Sequence, residues 1–410
     1  MDLNSSCFIK LLSSYIYGKQ EEYNEEVNYE SIYTIAKKHS LSSIIYTMLN
    51  DINNRENKHE DLKKLLVKNQ KDYLFQLQIS IVQEIDMKSI ISVLSKKEIP
   101  HLLIKGYILK DMYPNRELRR MGDIDFLVKE EELEKVHKEL LGLGYKHTDT
   151  VRSVRNYKKG ITEIEVHTKL FYDKIPKSVD YEKYFEGVWD NAVLMEGKYT
   201  YELIPEYHLI YLISHIAKHF YTEGCGIRMF LDICVFLNHY KYNLKWEYFW
   251  KEVIKLDLDQ FVGTVFYLCH KWFGMDLENI EFYLKDKIKV EEEVFNNITD
   301  YVLESGTYGH GIENFMIARY RSSLENNIEK GEEKSQKLAT LSTFFPSADV
   351  LANEFSYVKK YKFLYPIAWI NRGIRIVTKR RGEALYKLKN REEFKKKSKE
   401  VFNVYRKIGL

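Results

Sequence analysis

Hydrophobic residues recur with helical spacing over the first 95 residues of the chain. The positions are Ile32, Ile35, Ala36, Leu41, Ile44, Ile45 and Met48, followed by a second stretch from Leu74 to Leu94. Apolar residues three and four positions apart fall on one face of an α-helix, whereas the side chains of a strand alternate with a period of two. Pro100 then interrupts the pattern. We therefore predict a helical region over residues 1–95.

Short apolar runs replace this pattern in the next hundred residues. They predict strands at 101–105, 123–129, 145–150 and 161–168, and a helix at 131–142. From Pro205, which suits the first turn of a helix, the pattern is again mainly helical. The chain is therefore predicted to be of the α+β class, with a small mixed β-sheet core flanked by N-terminal and C-terminal helical subdomains.

The length of 410 residues exceeds what one hydrophobic core usually organises. We predict four regions: a helical region at 1–95, an α/β core at 96–204, a helical subdomain at 205–340, and a helical, basic segment at 341–410.

No apolar run is long enough to predict a transmembrane segment, and the N-terminus lacks the pattern of a signal peptide. We therefore expect a cytoplasmic protein. Cys7, Cys225, Cys234 and Cys269 have no C-x-x-C spacing, which excludes a zinc ribbon or a disulfide framework and predicts buried or unpaired thiols.

The charge of the chain is unevenly distributed. The net charge is +3, yet residues 371–410 carry 14 Lys and Arg against 4 Glu, an excess of +10, so the other residues carry −7. Such a segment either meets an anionic surface, such as nucleic acid, a membrane or an acidic partner, or forms a solvated amphipathic helix that packs on its own protein. The apolar stripe of that helix would contain Leu385, Leu388, Phe394 and Val401.

The chemistry predicted for the core begins with two carboxylates one residue apart. Asp123 and Asp125 belong to the sequence Gly-Asp-Ile-Asp-Phe-Leu-Val over 122–128, and on a strand both point to the same face. Exposed at the edge of a buried sheet, this pair would suit Mg²⁺, which binds carboxylate oxygens, water and substrate phosphates. A solvated strand end is the alternative for an isolated Asp-x-Asp.

A second feature lies just upstream, where an apolar run ends at Lys105-Gly106 and a helical pattern begins. Backbone N–H groups at such a helix start can hold phosphate. Arg119 and Arg120 follow in the loop before the carboxylate strand, where a guanidinium group could bind β- and γ-phosphate oxygens. Pairing of Arg119 with Glu117 or with solvent is the alternative.

These motifs together resemble the uncharacterised bacterial nucleotidyltransferase family of the polymerase-beta superfamily. The resemblance is carried by Lys-Gly-x-x-Leu from Lys105 and by Arg-x-Met-Gly-Asp-Ile-Asp-x-Leu-Val from Arg119. It extends over most of the chain through weaker similarities: Gly144-Tyr145, Glu163 to His167, His215-x3-His219, Arg228-x3-Asp232, Phe345-Pro346 and Tyr365 to Trp369. The wider superfamily has Gly-Ser or Gly-Gly in the first turn, and this chain has Gly106-Tyr107, which removes the usual serine contact to phosphate.

The resemblance implies a set of site residues. Asp123, Asp125 and Glu165 would be the catalytic carboxylates and the ligands of Mg²⁺ or Mn²⁺. The nucleotide would contact Lys105, Gly106, Arg119, Arg120 and Arg228. Glu163 rivals Glu165, because strand alternation places both on one face together with His167. His167 would either orient substrate or be a satisfied buried histidine.

Two residue pairs on the predicted helices have competing interpretations. His215 and His219 share a helix face, but no third ligand accompanies them, and we favour structural or substrate-wall histidines over a zinc pair. Arg228 and Asp232 are also four residues apart, which fits either a helix-surface ion pair or a wall of the nucleotide pocket.

The resemblance predicts an enzyme, a Mg²⁺-dependent nucleotidyltransferase that moves a nucleoside monophosphate from NTP to an unknown hydroxyl acceptor and releases pyrophosphate. Two alternatives remain from other classes. One is a non-catalytic nucleotide-binding or regulatory protein on the same scaffold, and the other is a membrane-surface adaptor that uses the basic C-terminal segment.

Overall fold

The computed structural model describes most of residues 1–307 and part of the C-terminal hundred residues. The undescribed positions before 308 are 57–58, 173–174, 176, 178, 196, 198, 223, 279 and 285–289. After 307 the structure describes residues 351, 357–358, 361–379, 386 and 389–410. Phe345-Pro346, Leu385, Leu388 and the predicted boundary between 340 and 341 therefore lie outside the described residues.

The N-terminal region is helical, as its periodicity predicts. Its helices are α1 (Leu3–Tyr17), α2 (Tyr29–Lys38), α3 (Ser42–Glu56) and α4 (Glu60–Lys96). Asp2 caps α1 by accepting a hydrogen bond from the Ser5 backbone N–H, and Asn28 caps α2 through the Ser31 N–H. The long helix α4 contains the entire second apolar stretch.

A seven-stranded sheet follows this helical region along the chain. Its strands are β1 (His101–Leu103), β2 (Ile124–Val128), β3 (Lys146–Val151), β4 (Val154–Lys159), β5 (Thr162–His167), β6 (Ala192–Leu194) and β7 (Thr200–Leu203), arranged in the order β3-β4-β5-β2-β1-β7-β6. The helices α5 (Gly106–Lys110), α6 (Leu133–Gly142) and α7 (Tyr181–Phe185) lie between strands along the chain. The sheet is mixed, since β2 pairs antiparallel with β1 and parallel with β5. The predicted α+β class is confirmed.

The predicted strands correspond to β1, β2, β3 and β5, whereas β4, β6 and β7 were not predicted. The sequence of β4, Val-Arg-Asn-Tyr-Lys-Lys, has only two buried positions, Val154 and Tyr157. β6 and β7 have three and four residues. Strands this polar or this short lack the apolar run that marked the others, so pairing with their neighbours rather than local sequence defines them.

One face of the central strands packs on helices. Ile124, Phe126 and Val128 of β2 and Ile164 and Val166 of β5 belong to one buried cluster. The same cluster contains Met87, Ile90 and Leu94 of α4 and Val136 and Leu140 of α6. Because strand side chains alternate, the residues between these apolar positions point to the opposite face. Those residues include Asp125, Glu165 and His167.

The remaining chain is helical in the described residues. It contains α8 (Pro205–Thr222), α9 (Ile227–Tyr240), α10 (Trp246–Lys255), α11 (Asp259–Phe273), α12 (Glu281–Leu284), α13 (Glu292–Ser305), α14 (Tyr365–Lys379) and α15 (Arg391–Ile408). Cys7 is partly buried, the other three cysteines are buried, and all four are free thiols, as predicted. No helix in the described part of the chain has the length and apolar character needed to cross a bilayer.

The chain divides into two compact units. The first comprises Met1–Tyr221, Cys225–Tyr308 and Ile408–Leu410, and it contains the sheet. The second comprises Thr222–Gly224 and Gly309–Lys407. In the second unit Leu351, Val358 and Ala368 form a small buried cluster, and Phe394 is buried. The division into four regions stays a prediction.

Candidate functional site

The turn between β1 and α5 presents Lys105 with an unusual backbone conformation. Lys105 has φ +49° and ψ −122°, a region that glycine adopts freely and that costs other residues about 1–3 kcal/mol. Its ammonium Nζ donates a hydrogen bond to Asp125 Oδ1 at 2.8 Å. The turn therefore holds a lysine, at a cost in backbone strain, against the carboxylate strand.

Parallel pairing of β2 with β5 assembles the carboxylates. Asp125 lies opposite Glu165, and Leu127 lies opposite His167. His167 Nε2 is 2.9 Å from Asp125 Oδ1 and 3.3 Å from Glu165 Oε2. One ligand atom from each of Asp125, Glu165 and His167 lies within 4.8 Å of the others, which makes these residues a candidate metal-binding group.

Burial distinguishes this site from the exposed sheet edge expected from the sequence. The side chain of Asp125 is 5% exposed and that of His167 is 3% exposed, whereas Glu165 is 30% exposed. The Nδ1 atom of His167 is buried and has no hydrogen-bond partner. Asp125 is thus enclosed by Lys105 and His167, and Glu165 faces outward.

Asp123 lies just before β2 and is partly buried. It lines a cleft of about 450 Å³ together with Glu163 and Glu165. The other lining residues belong mainly to the β3-β4 hairpin: Thr148, Asp149, Asn156, Tyr157 and Lys158, with Ile164 of β5. Glu163 is paired with Lys158 at 2.5 Å, so its charge is already compensated.

The two aspartates of the site have opposite pKa shifts. Burial raises the pKa of Asp123 to about 7, and repulsion from Asp125 and Glu165 acts in the same direction, against the attraction of Lys105. Burial alone would also raise the pKa of Asp125, but the Lys105 charge and the His167 hydrogen bond hold it below its usual range. The site therefore compensates the charge of Asp125 and only partly compensates that of Asp123.

The neighbouring carboxylates raise the pKa values of the two basic groups. Burial lowers the pKa of Lys105, but the Asp125 carboxylate outweighs burial and raises that pKa well above its ordinary value. For His167, burial again lowers the pKa, and the hydrogen bonds to Asp125 and Glu165 produce a net increase.

Arg119 is bound to a residue far away in the sequence. Its Nε and Nη2 atoms donate to Asp232 Oδ1 and Oδ2 at 2.7 and 2.8 Å, and its Nη1 donates to the Gly106 carbonyl oxygen at 3.1 Å. The contact to phosphate expected for Arg119 stays a prediction. The sequence did not identify Asp232 as its partner, because 113 residues separate the two.

The side chain of Arg228 contacts the backbone of Arg120. Arg228 Nη1 donates to the Arg120 carbonyl oxygen at 3.1 Å, and the Arg120 side chain is exposed. Arg228 and Asp232 are both buried on α9, which corrects the interpretation of a helix-surface pair.

A row of residues on α8 borders Lys105. Tyr211 is buried, which raises the pKa of its hydroxyl, and the Lys105 charge acts in the opposite direction, so Lys105 is a neighbour of Tyr211 that sequence reasoning missed. His215 follows four residues later, and burial lowers its pKa well below the ordinary value, assisted by the charges of His219, Lys218, Lys105 and His167. His215 Nε2 and His219 Nε2 are 3.3 Å apart. Tyr211, His215 and His219 are spaced four residues apart, which places them on one face of α8. This spacing was the signal in the sequence that could have identified the row.

The structure brings together four of the predicted site residues: Lys105, Asp123, Asp125 and Glu165. It adds His167 to them, which the sequence left open between a substrate contact and a buried histidine. Gly106 adjoins this group, and Arg119 reaches it through the Gly106 carbonyl oxygen.

Comparison with known proteins adds one relationship to this geometry. No curated protein and no solved structure was found to match the chain. Residues 25–274, more than half of the chain, match the family described as "Uncharacterised nucleotidyltransferase", and the protein therefore belongs to this nucleotidyltransferase family.

Proposed function

We propose that the protein is a Mg²⁺-dependent nucleotidyltransferase that moves a nucleoside monophosphate from NTP to a hydroxyl acceptor. One observation carries the proposal, the direct pairing of Asp125 with Glu165 in parallel strands beside the cleft that Asp123 lines. Membership of a nucleotidyltransferase family supports the type of reaction.

The residues of the site fit a divalent cation. Asp123, Asp125 and Glu165 supply oxygen atoms, the ligands that Mg²⁺ and Mn²⁺ prefer. The raised pKa of Asp123, caused by burial and by the other carboxylates, indicates negative charge that Lys105 does not fully compensate. These three residues would hold the cation, which when bound supplies positive charge beside the phosphate oxygens of the substrate.

Positively charged groups near the carboxylates suit the phosphates of NTP. Lys105 lies at the border of the site, Arg120 is exposed, and Arg228 adjoins Arg120. Because α5 has only five residues, its N-terminus is a weaker anion site than that of a long helix. The proposal therefore assigns phosphate binding chiefly to these side chains, with Gly106 allowing close approach of the backbone.

Glu165 is the carboxylate best placed for the acceptor, because it is the more exposed partner of Asp125 and lines the cleft. In the proposed reaction the acceptor oxygen forms a bond to the α-phosphorus, and the bond from that phosphorus to the bridging oxygen breaks. Pyrophosphate leaves with the electron pair, and Glu165 accepts the proton of the hydroxyl group.

The proposal is tested with purified protein, each of the four NTPs and Mg²⁺ in cell extract. Mass spectrometry should detect acceptor molecules that have gained the mass of one nucleoside monophosphate, with release of pyrophosphate. The Asp123→Asn variant is the control and should produce neither. Equal yields from the variant and the wild type, or no mass gain with any NTP, would contradict the proposal.

A further inference from the structure

The interactions of Arg119 connect three separate segments of the first unit. Arg119 itself lies in the loop before β2, Asp232 lies on α9, and Gly106 begins α5. The Arg119–Asp232 pair is bidentate, and the guanidinium group also donates to the Gly106 carbonyl oxygen. Bidentate geometry fixes the plane of a guanidinium group as well as its position.

The surroundings of the Arg119–Asp232 pair hold it in one arrangement. The side chains of Arg119 and Asp232 are 6% and 10% exposed. The Tyr113 hydroxyl donates to Asp232 Oδ1 at 2.7 Å, and the ring of Tyr113 lies 5.8 Å from the Arg119 guanidinium carbon. At least three N–H groups of Arg119 are therefore used within the protein.

The Arg119–Asp232 pair lies against the turn that carries Lys105. A Cβ atom at Gly106 would lie 2.9 Å from Arg119 Nη1 and 3.1 Å from Met121 Cγ, so the guanidinium group packs directly on the backbone of the turn. The preceding residue, Lys105, has the positive φ that an L-residue adopts only when its surroundings impose it. The contact with Arg119 is one such constraint.

We infer that the Arg119–Asp232 pair is a clamp that positions the Lys105–Gly106 turn and thereby holds the Lys105 ammonium group on Asp125. Arg119 is then a positioning residue that acts through Lys105, and its guanidinium group serves the protein rather than the triphosphate. This role rests on the proposed function for its effect on turnover, but its effect on Lys105 can be measured without turnover.

The Asp232→Asn variant separates the two roles of Arg119. If Arg119 positions the turn, loss of its carboxylate partner should lower kcat about tenfold or more, with KM for NTP changed less than about threefold. Arg119→Lys should lower kcat similarly, since lysine cannot form the bidentate pair. The kcat of the double variant should be no lower than that of the poorer single variant, because both changes break the same Arg119–Asp232 pair.

If Arg119 instead binds phosphate directly, Asp232→Asn releases Arg119 for that role. Unchanged kcat with unchanged or lower KM for NTP would therefore overturn the inference.

A second measurement needs no turnover. Lysine acylation followed by mass spectrometry gives the labelling rate of Lys105 relative to the other lysines of the same protein. This relative rate should rise at least about threefold in Asp232→Asn and Arg119→Lys, because Lys105 is no longer held on Asp125. Asp51→Asn, which breaks the Arg55–Asp51 pair within α3 at 3.2 Å, is the matched control and should leave the Lys105 rate unchanged.

Gly106→Ala provides an independent variant in case loss of the buried pair prevents folding, which thermal melting would detect. This variant keeps the charges of Arg119 and Asp232 and displaces Arg119 Nη1 from the turn. It should therefore raise the labelling rate of Lys105 and lower kcat. Unchanged Lys105 labelling in every folded variant would overturn the inference. An inactive wild type that still gives the labelling change would reject the proposed function and leave the clamp supported.

Discussion

Asp125 of β2 lies directly opposite Glu165 of β5 in the parallel register of the sheet. Side chains that are direct partners in neighbouring strands lie on the same face, and a slip of one residue would turn Glu165 to the other face. The apolar neighbours of both residues, Ile124, Phe126, Ile164 and Val166, are buried in the cluster with α4 and α6. The hydrophobic core therefore specifies the register on which the candidate site depends.

This register leads to a prediction about the third carboxylate. Glu165→Gln should lower turnover by at least about a hundredfold, because it removes the proposed proton acceptor beside Asp125. Glu163→Gln should stay within about threefold of the wild type, since Glu163 is exposed and paired with Lys158. Steady-state kinetics on both variants gives the comparison, and the reverse ranking would assign the role to Glu163.

A second prediction concerns the two aspartates, which differ in how their charge is compensated. Asp123→Asn should abolish metal-dependent turnover yet leave the metal-free protein equally stable or more stable by about 1–2 kcal/mol, because it removes a carboxylate whose charge is only partly compensated. Asp125→Asn should also abolish turnover but destabilise the protein by about 2 kcal/mol, because Lys105 and His167 lose their charged partner.

Urea unfolding of the metal-free proteins at pH 8 measures both effects. At that pH the ionised form of Asp123 dominates, since its pKa is raised to about 7, so the difference between the two variants should be largest. Equal destabilisation by both substitutions would mean that neighbouring groups compensate the charges of Asp123 and Asp125 to the same extent.

Much of the site could be predicted because it is local in sequence. Strand alternation placed Asp123 and Asp125 on one face, and it placed Glu163, Glu165 and His167 on another strand. Burial along β5 follows that alternation as far as Val166, with Ile164 and Val166 fully buried and Glu163 exposed, whereas His167 is buried on the polar face. The Lys105–Gly106 turn was recognisable from the end of an apolar run followed by a glycine.

The missing parts depend on contacts between distant segments. No local pattern pairs Arg119 with Asp232. The four-residue spacing on the helix instead suggested Arg228 as the partner of Asp232. The burial of Asp125 was missed because a strand sequence does not show what covers its polar face. Tyr211 and His215 of α8 border Lys105 there, and their position depends on helix packing.

A third prediction concerns acid stability and two histidines outside the site. Burial lowers the pKa of His208 to about 4, and burial likewise lowers that of His39 to about 4 against its hydrogen bond to the Leu303 carbonyl. At these two histidines the unfolded chain binds more protons than the folded protein between pH 4 and 6.5, so their contribution to stability falls as the pH falls through this window. Each histidine should cost about 2 kcal/mol at pH 5 relative to pH 8.

Urea unfolding between pH 5 and 8 tests this prediction with His208→Phe, which keeps an aromatic ring beside Phe236 and removes the titrating group. The pH dependence should weaken by about 2 kcal/mol over this interval. His147→Gln changes an exposed histidine of β3 and should leave the wild-type slope. An unchanged slope in His208→Phe would mean that the pKa of His208 does not differ between the folded and the unfolded protein.

The last prediction concerns the metal preference of the site. His215 and His219 have their Nε2 atoms 3.3 Å apart, but the candidate metal-binding group found among the described residues is Asp125, Glu165 and His167. A pair of imidazoles without a third protein ligand is a poor zinc site, whereas the carboxylate oxygens suit Mg²⁺ or Mn²⁺.

The double variant His215→Gln/His219→Gln should therefore bind Mn²⁺ within about twofold of the wild-type affinity. It should also melt at a lower temperature, because contacts of a buried pair are lost. Titration with Mn²⁺ followed by electron paramagnetic resonance measures the affinity, with Asp125→Asn as the variant that should lose it. Stoichiometric zinc in the purified protein that disappears with His215→Ala would instead place the metal on α8, and the carboxylates of β2 and β5 would need another explanation.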